Sequence, residues 1–259
     1  MADAELPGPI EPGHVRPEGP RKTDLGVRVV SAIVMVAVSA LCLWLGGWLL
    51  DLFIVLVASA AYFEWQRIVR RMAAESAMGS GNVLAWMMAG ALYMGIAAWL
   101  MVRMESQLVV FAILVTAFID TFAYFAGRTV GGPKIAPAIS PSKTWAGLGG
   151  GVVGAAVALV LFIFVSHAWT LGLLDGETSA ADTYFFVMGG PTLIISAIAA
   201  GAILAVLAQA GDFFESWMKR RAKVKDSSQL IPGHGGVFDR IDGLLPVSIL
   251  IGLLSLLAQ

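Results

Sequence analysis

The sequence predicts an all-α fold, a polytopic transmembrane helix bundle of about seven spans, with its amino terminus inside and its carboxyl terminus outside. Three observations predict it. Hydrophobic residues make up 58% of the chain and charged residues only 14%, with a mean hydropathy of +0.81; a soluble domain carries roughly 25% charged residues. The apolar residues come in runs of roughly 20, the length that crosses a hydrocarbon core. All but one of the 17 Lys and Arg fall on alternate loops.

Residues 1–24 come first. Pro7, Pro9, Pro12, Pro17 and Pro20, with charges between them, predict a disordered, Pro-rich cytoplasmic tail. No short apolar core ending in small residues marks a signal peptide. Residues 25–259 form the membrane-embedded domain, with spans near 27–46, 48–66, 83–102, 107–127, 147–168, 191–211 and 243–258. Gly46-Gly47 leaves room only for a tight hairpin between the first two, and the last is short and can extend back towards Asp242. Trp44, Trp48, Trp86, Trp99, Trp145 and Trp169 lie near span ends, as interfacial anchors do. The single cysteine, Cys42, lies inside an apolar run and is expected to pack as a small residue.

Orientation follows from the cations. With the amino terminus inside, only Arg103 falls outside, and the outer loop after span five holds Asp175, Glu177 and Asp182 with no cation. Two polar stretches then share the cytoplasmic face, where soluble nucleotides are available. One is 128–146, in which Ser140-Pro141-Ser142-Lys143-Thr144 opens span five. Backbone N–H groups at a helix start, hydroxyls and a lysine suit an anion; the same residues suit an ordinary capped helix with a lysine at the head groups. The other is Asp212–Asp242, where carboxylates, cations, His234 and Gly235-Gly236 crowd between apolar spans, an expensive arrangement that marks a functional site. Gly149-Gly150-Gly151-Val152-Val153-Gly154 mimics a dinucleotide fingerprint, but no strand precedes it, and small residues four apart predict close helix packing.

Asp120 lies two turns before the end of span four, with Tyr124 and Gly127 on its face. Asp212, Glu215 or Ser216, and Lys219 share one stripe of the helix leaving span six, and Asp239 and Asp242 flank Arg240. Carboxylates converging from several helices can bind a hard divalent cation through oxygen; Asp212 and Asp239 can instead pair with nearby arginines. Glu64, beside Arg67, is expected in a surface or inter-helix ion pair.

The run Ser216-x-Met218-Lys219-Arg220, then Lys225-Asp226-x-Ser228, then Ile231-Pro232-x-His234-Gly235-Gly236-Val237-x-Asp239-Arg240-Ile241-Asp242 resembles the signature of the phosphatidate cytidylyltransferases (CDP-diacylglycerol synthases). Asp120-x-x-Ala123-Tyr124-Phe125-x-Gly127-Arg128 and Ser140-Pro141-x-Lys143-Thr144-Trp145 resemble that family's upstream motifs in the same order. The resemblance covers roughly residues 25–259, making this the catalytic domain. One departure is Ala146, where the family commonly has a glutamate.

The resemblance implies transfer of CMP from CTP to phosphatidate with magnesium, and a second metal ion, in the membrane lipid of a bacterial inner (cytoplasmic) membrane. It implies Asp212 and Asp239 as metal ligands. Asp120, Lys219, Arg240 and Asp242 would form the catalytic group. Ser140, Lys143, Thr144, Ser216, Arg220 and His234 would contact substrate. The lipid brings an ionised nucleophile, so Ser216 need not be one. A homodimer is compatible with this reading, and no nucleic acid partner is expected. Two alternatives are a related CTP transferase acting on another lipid phosphate, and an ion-coupled transporter.

Overall fold

The computed structural model describes residues 25–170 and 180–258, the side chains of 167–170 and 180–189 apart. The Pro-rich tail, Trp169 and the acidic side chains after span five lie outside the described residues. The chain forms α1 (Leu25–Leu45), α2 (Gly47–Ser76), α3 (Ser80–Arg103), α4 (Ser106–Thr129), β1 (Lys134–Ala136), β2 (Ser140–Thr144), α5 (Trp145–Thr170), α6 (Ala180–Arg221), α7 (Phe238–Ile241) and α8 (Leu244–Leu257).

Six of these helices, α1 to α6, are long and apolar enough to cross a membrane. The seventh expected span, α8, has 14 residues, or about 21 Å at 1.5 Å per residue, short of a hydrocarbon core. It does run back as expected. Asp242 and Gly243 keep right-handed helical dihedrals, so α7 leads almost directly into α8.

Two helices run about ten residues past the ends of their apolar spans, α6 as its Asp212–Lys219 stripe predicts. α2 continues to Ser76 and α6 to Arg221, through Arg67, Arg70 and Arg71 and through Lys219, Arg220 and Arg221. Hydropathy falls where these cations begin, but Arg and Lys are good helix formers and no Gly or Pro intervenes. These polar extensions carry half of the candidate site.

The core has two parts. One lies in the apolar middle, where Val109, Val115, Ile119, Ala155, Leu204 and Val247 join α4, α5, α6 and α8. Cys42 packs against it, partly buried. α4 and α5 approach closely because Gly150 and Gly154 are bare: a Cβ on either would stand 2.6 Å from the carbonyl oxygens of Phe122 and Phe118. The glycine run is thus a packing device. The second part lies at the polar end, around Trp65, Ile68, Met72, Met94, Met218 and Phe238. Trp44, Trp48, Trp99 and Trp145 are exposed near helix ends, as expected. Trp86 instead turns inwards, with its ring 6.2 Å from that of Trp65 and 5.8 Å from that of Trp217.

Candidate active site

Each expected site residue lies at one end of the bundle. The start of α1, the end of α2, the hairpin after α4, the end of α6, and α7 meet there. Arg103 is at the opposite end, near the α1–α2 turn, where Gly46 approaches Ser106.

The expected stripe on α6 is present. Asp212 is half-buried and ion-pairs with Lys143. One turn on, buried Glu215 pairs with Lys219 at 2.5 Å, and Lys219 Nζ also donates to Asp239 Oδ1 at 2.7 Å. Ser216, on the same turn, is partly exposed. α6 stops at Lys223, which takes a left-handed conformation (φ 53°) and lets the Val224 N–H reach the Lys219 carbonyl at 3.0 Å. Arg220 stays exposed and its Nε donates to the Ile139 carbonyl at 3.4 Å, tying the helix to the hairpin.

The segment 222–237 is irregular, so its polar groups need partners from elsewhere. Asp239 supplies them from one side: its Oδ2 accepts from the Ser227 N–H (3.0 Å) and the Gly236 N–H (2.9 Å), and lies 3.0 Å from Ser227 Oγ, whose one proton it shares with Glu64. Glu64 supplies them from the other. It is 1% exposed and accepts from Ser227 Oγ (2.9 Å), Ser228 Oγ (2.5 Å), the Val237 N–H (3.0 Å) and the Phe238 N–H (2.7 Å). Glu64 therefore makes no ion pair with Arg67; it is the buried anchor that ties α2 to the loop. Sequence reasoning missed it because the donors lie more than 160 positions away. Gly236 is bare for the same reason: a Cβ there would stand 1.9 Å from Ser227 Oγ. His234 Nδ1 lies 2.8 Å from Ser31 Oγ on α1, and Arg240 donates to the His234 carbonyl at 2.8 and 3.2 Å.

The stretch expected to open span five with helical N–H groups is a short antiparallel hairpin instead, pairing Lys134 with Thr144 and Ala136 with Ser140. Pro137 and Pro141 leave that backbone without helix-forming N–H groups. α5 starts only at Trp145, and the buried Thr144 hydroxyl caps it by accepting from the Gly147 N–H at 3.0 Å. Ser140 is buried at the start of β2. Lys143, on the same strand, reaches across to α6.

Around Lys143 the electrostatics are those of a carboxylate cluster. Burial pulls its ammonium down, but Asp212 beside it, then Asp120 and Asp242, outweigh burial and hold it above the ordinary lysine value. Burial first, then the charge of Asp212, pushes the Asp242 carboxyl up to about 8, against the Gly243 N–H, Lys219 and Lys143. Asp242 thus feels the charge of both lysines. The crossing that places it is tight, since a Cβ on Gly211 would stand 2.1 Å from the Asp242 carbonyl oxygen.

Carboxylate oxygens are the hard donors that magnesium takes. Among the described residues no three His, Cys, Asp or Glu side chains stand close enough to hold a metal ion as placed. Lysine ammoniums lie between the carboxylates, and Asp239 is engaged by the loop. The donor chemistry fits: Asp212 pairs with Lys143, the charges of Asp120 and Asp242 also act on that ammonium, and the buried Glu215 Oε1 has no hydrogen-bond partner.

The cytidylyltransferase family matches this chain over residues 102–257. Proteins named phosphatidate cytidylyltransferase are similar over nearly its whole length. One from Brucella melitensis is 30% identical, covering 88% of this chain and 92% of its own. One from Rickettsia bellii is 30% identical, covering 87% and 88%; one from Rickettsia conorii is 28% identical, covering 91% and 93%.

Proposed function

Because this chain belongs to the cytidylyltransferase family, we propose that it transfers CMP from CTP to phosphatidate, giving CDP-diacylglycerol and pyrophosphate. A phosphatidate oxygen attacks the α-phosphorus of CTP. The new P–O bond forms as the bond from that phosphorus to the β-phosphate oxygen breaks. The lipid brings its nucleophile already ionised near neutral pH, so Ser216 is left to contact substrate. Catalysis then rests on positioning and on screening the repulsion of two anions.

One observation carries this reading. Lys143 and Lys219, from separate stretches of chain, are both held by carboxylates at one end of an apolar bundle. Lys143 would meet the nucleotide phosphates beside Ser140, and Lys219, Arg220 and Arg240 would hold phosphate oxygens as charge develops on pyrophosphate. Thr144 serves the nucleotide site indirectly, by fixing Lys143 at the head of α5. His234 and Asp226 shape the loop. Magnesium, when bound, supplies Lewis-acid stabilisation of the developing charge; Asp212 and Asp242 would hold it, with Asp120 orienting its shell and Asp239 joining once Lys219 moves to phosphate.

The cation bias supports an amino terminus inside and a site facing the cytoplasm, in the cytoplasmic membrane of a bacterium. CTP arrives from water and phosphatidate from the side, since its chains cost about 0.8 kcal/mol per CH₂ to expose. An ion-coupled transporter would place its ionisable groups near the bilayer midplane; here they gather at one end. The test is release of pyrophosphate from CTP by purified protein, with CDP-diacylglycerol as the lipid product. Release strictly dependent on phosphatidate is expected. No release, or release indifferent to lipid, would overturn the reading.

A further inference from the structure

Glu64 and Ser227, which join α2 and the loop to the carboxylate cluster, also line a cavity. It is a cleft of about 580 Å³ between the end of α2 and the segment 223–230. Arg67 and Arg71, one turn apart on α2, form one wall, and Lys223 and Lys225 face them. Lys223 pairs outwards with Glu75 at 2.5 Å. Among the described residues, Arg67, Arg71 and Lys225 have no ion-pair partner. Two carboxylates also line the cleft: Glu64, whose oxygens are engaged by the floor, and Asp226; against them stand Arg67, Arg71 and Lys225, which leaves the cleft cationic. A cleft so charged takes an anion.

Its apolar border says which kind. Arg71, Arg67 and Phe63 are spaced four apart and share one stripe of α2. Along that stripe the surface changes from guanidinium to phenyl; further into the bundle α2 exposes Leu56 and Leu52. On the opposite rim Leu230 is exposed as well. Cations at the helix end, followed by an apolar track running inwards along a membrane-spanning helix, match the order of groups in a phospholipid lying along the bilayer normal. A soluble phosphate or a nucleotide makes no use of such a track.

We propose that this cleft is a seat for the phosphate head group of an anionic membrane lipid, separate from the reacting one, with a chain lying along Phe63, Leu56 and Leu52. The seat has a built-in connection to the catalytic end. Ser227 lines the cleft and also donates its N–H to Asp239. A head group drawing Lys225 and its neighbours towards Arg67 and Arg71 holds the loop closed, and with it Asp239.

The test uses the full chain, reconstituted with phosphatidylcholine and phosphatidylglycerol and then exchanged into neutral detergent, with retained lipid counted by native mass spectrometry. Wild type should keep phosphatidylglycerol in preference to phosphatidylcholine. Affinity in Arg67→Gln/Arg71→Gln should fall about thirtyfold, as loss of two cations beside a head group implies. Each single variant should lose part of this, and Arg70→Gln, which removes the same charge from a neighbouring face, should lose none. Undiminished retention in Arg67→Gln and Arg71→Gln, or an equal loss in Arg70→Gln, would overturn the seat. A raised CTP requirement in the double variant with lipid retention intact would assign the cleft to nucleotide phosphate and overturn the lipid. Retention is read without turnover: wild type that keeps its lipid but makes no CDP-diacylglycerol refutes the proposed reaction and leaves the seat standing.

Discussion

Glu64→Gln tests whether the loop that carries Asp239 is held from α2. The two side chains have nearly the same volume, so the packing of Trp65 and Phe238 is kept. What changes is one oxygen, which becomes an NH₂ donor. Oε1 accepts from Ser228 Oγ and the Val237 N–H; Oε2 accepts from Ser227 Oγ and the Phe238 N–H. Whichever way the amide turns, one buried backbone N–H then faces another donor. A serine hydroxyl can rotate to accept, but a backbone N–H cannot. An unsatisfied buried group costs about 1–3 kcal/mol, and the remaining bonds lose their charge assistance, for a total of about 3 kcal/mol. If Val237 and Phe238 exchange their amide hydrogens by local opening, that cost speeds exchange roughly a hundredfold. Hydrogen exchange read by mass spectrometry on the peptide spanning 223–240, with α4 and α5 peptides as internal controls, measures it. Turnover should fall in parallel, because Ser227 carries the disturbance to Asp239. Unchanged exchange over 223–240 would refute the anchor, whatever happens to activity.

Four further outcomes are expected. Asp212→Asn keeps volume but removes charge from the cluster around Lys143, and should cut phosphatidate-dependent pyrophosphate release by at least about a hundredfold; full turnover at low magnesium would exclude Asp212 as a ligand. Lys143→Ala should raise the apparent KM for CTP more than that for phosphatidate, because a point charge to phosphate is lost; steady-state kinetics with each substrate varied in turn decide it. Gly211→Ala places a methyl 2.1 Å from the Asp242 carbonyl oxygen, which should cost about 1–3 kcal/mol as overpacking, lower the Tm and displace Asp242; an unchanged melt would show that α6 and α8 give way freely. Cysteines at the exposed positions Ser142 and Gln229, with Cys42 replaced, should react with an impermeant thiol reagent from the cytoplasmic side only, and labelling from outside would invert the orientation.

How far the sequence could be read depended on the range of the interaction. Membrane helices announce themselves, because hydropathy and length are local, and α1 to α6 lie where the apolar runs are. The α6 stripe was legible too, since Asp212, Glu215 and Lys219 obey helical spacing. What escaped were contacts set by tertiary approach. Glu64 reads as a surface acid next to Arg67, and only the arrival of Val237 and Phe238 turns it into an anchor. Trp86 reads as an interfacial anchor, and only the ring of Trp65 draws it inwards. The end of α2 lies beyond its predicted span because the span follows hydropathy, whereas the helix follows backbone bonding and continues through cations. The hairpin at 134–144 is too short for a periodic signal. Pro137 and Pro141 are the local signal there against a helix.

The ion pair between Lys143 and Asp212 has a consequence for how ligands depend on each other. At rest the two charges satisfy one another, so an outside partner for either competes with the other. An anion that wins Lys143 leaves Asp212 uncompensated and hungry for a cation; a cation that wins Asp212 releases Lys143 for an anion. Each arrival therefore removes the obstacle to the other, and by linkage the help is equal in both directions. Nucleotide affinity should rise with magnesium, and magnesium affinity with nucleotide, by the same factor, beyond what their complex in water supplies. Lys143→Ala should abolish that mutual dependence, because the exchange of partners no longer takes place.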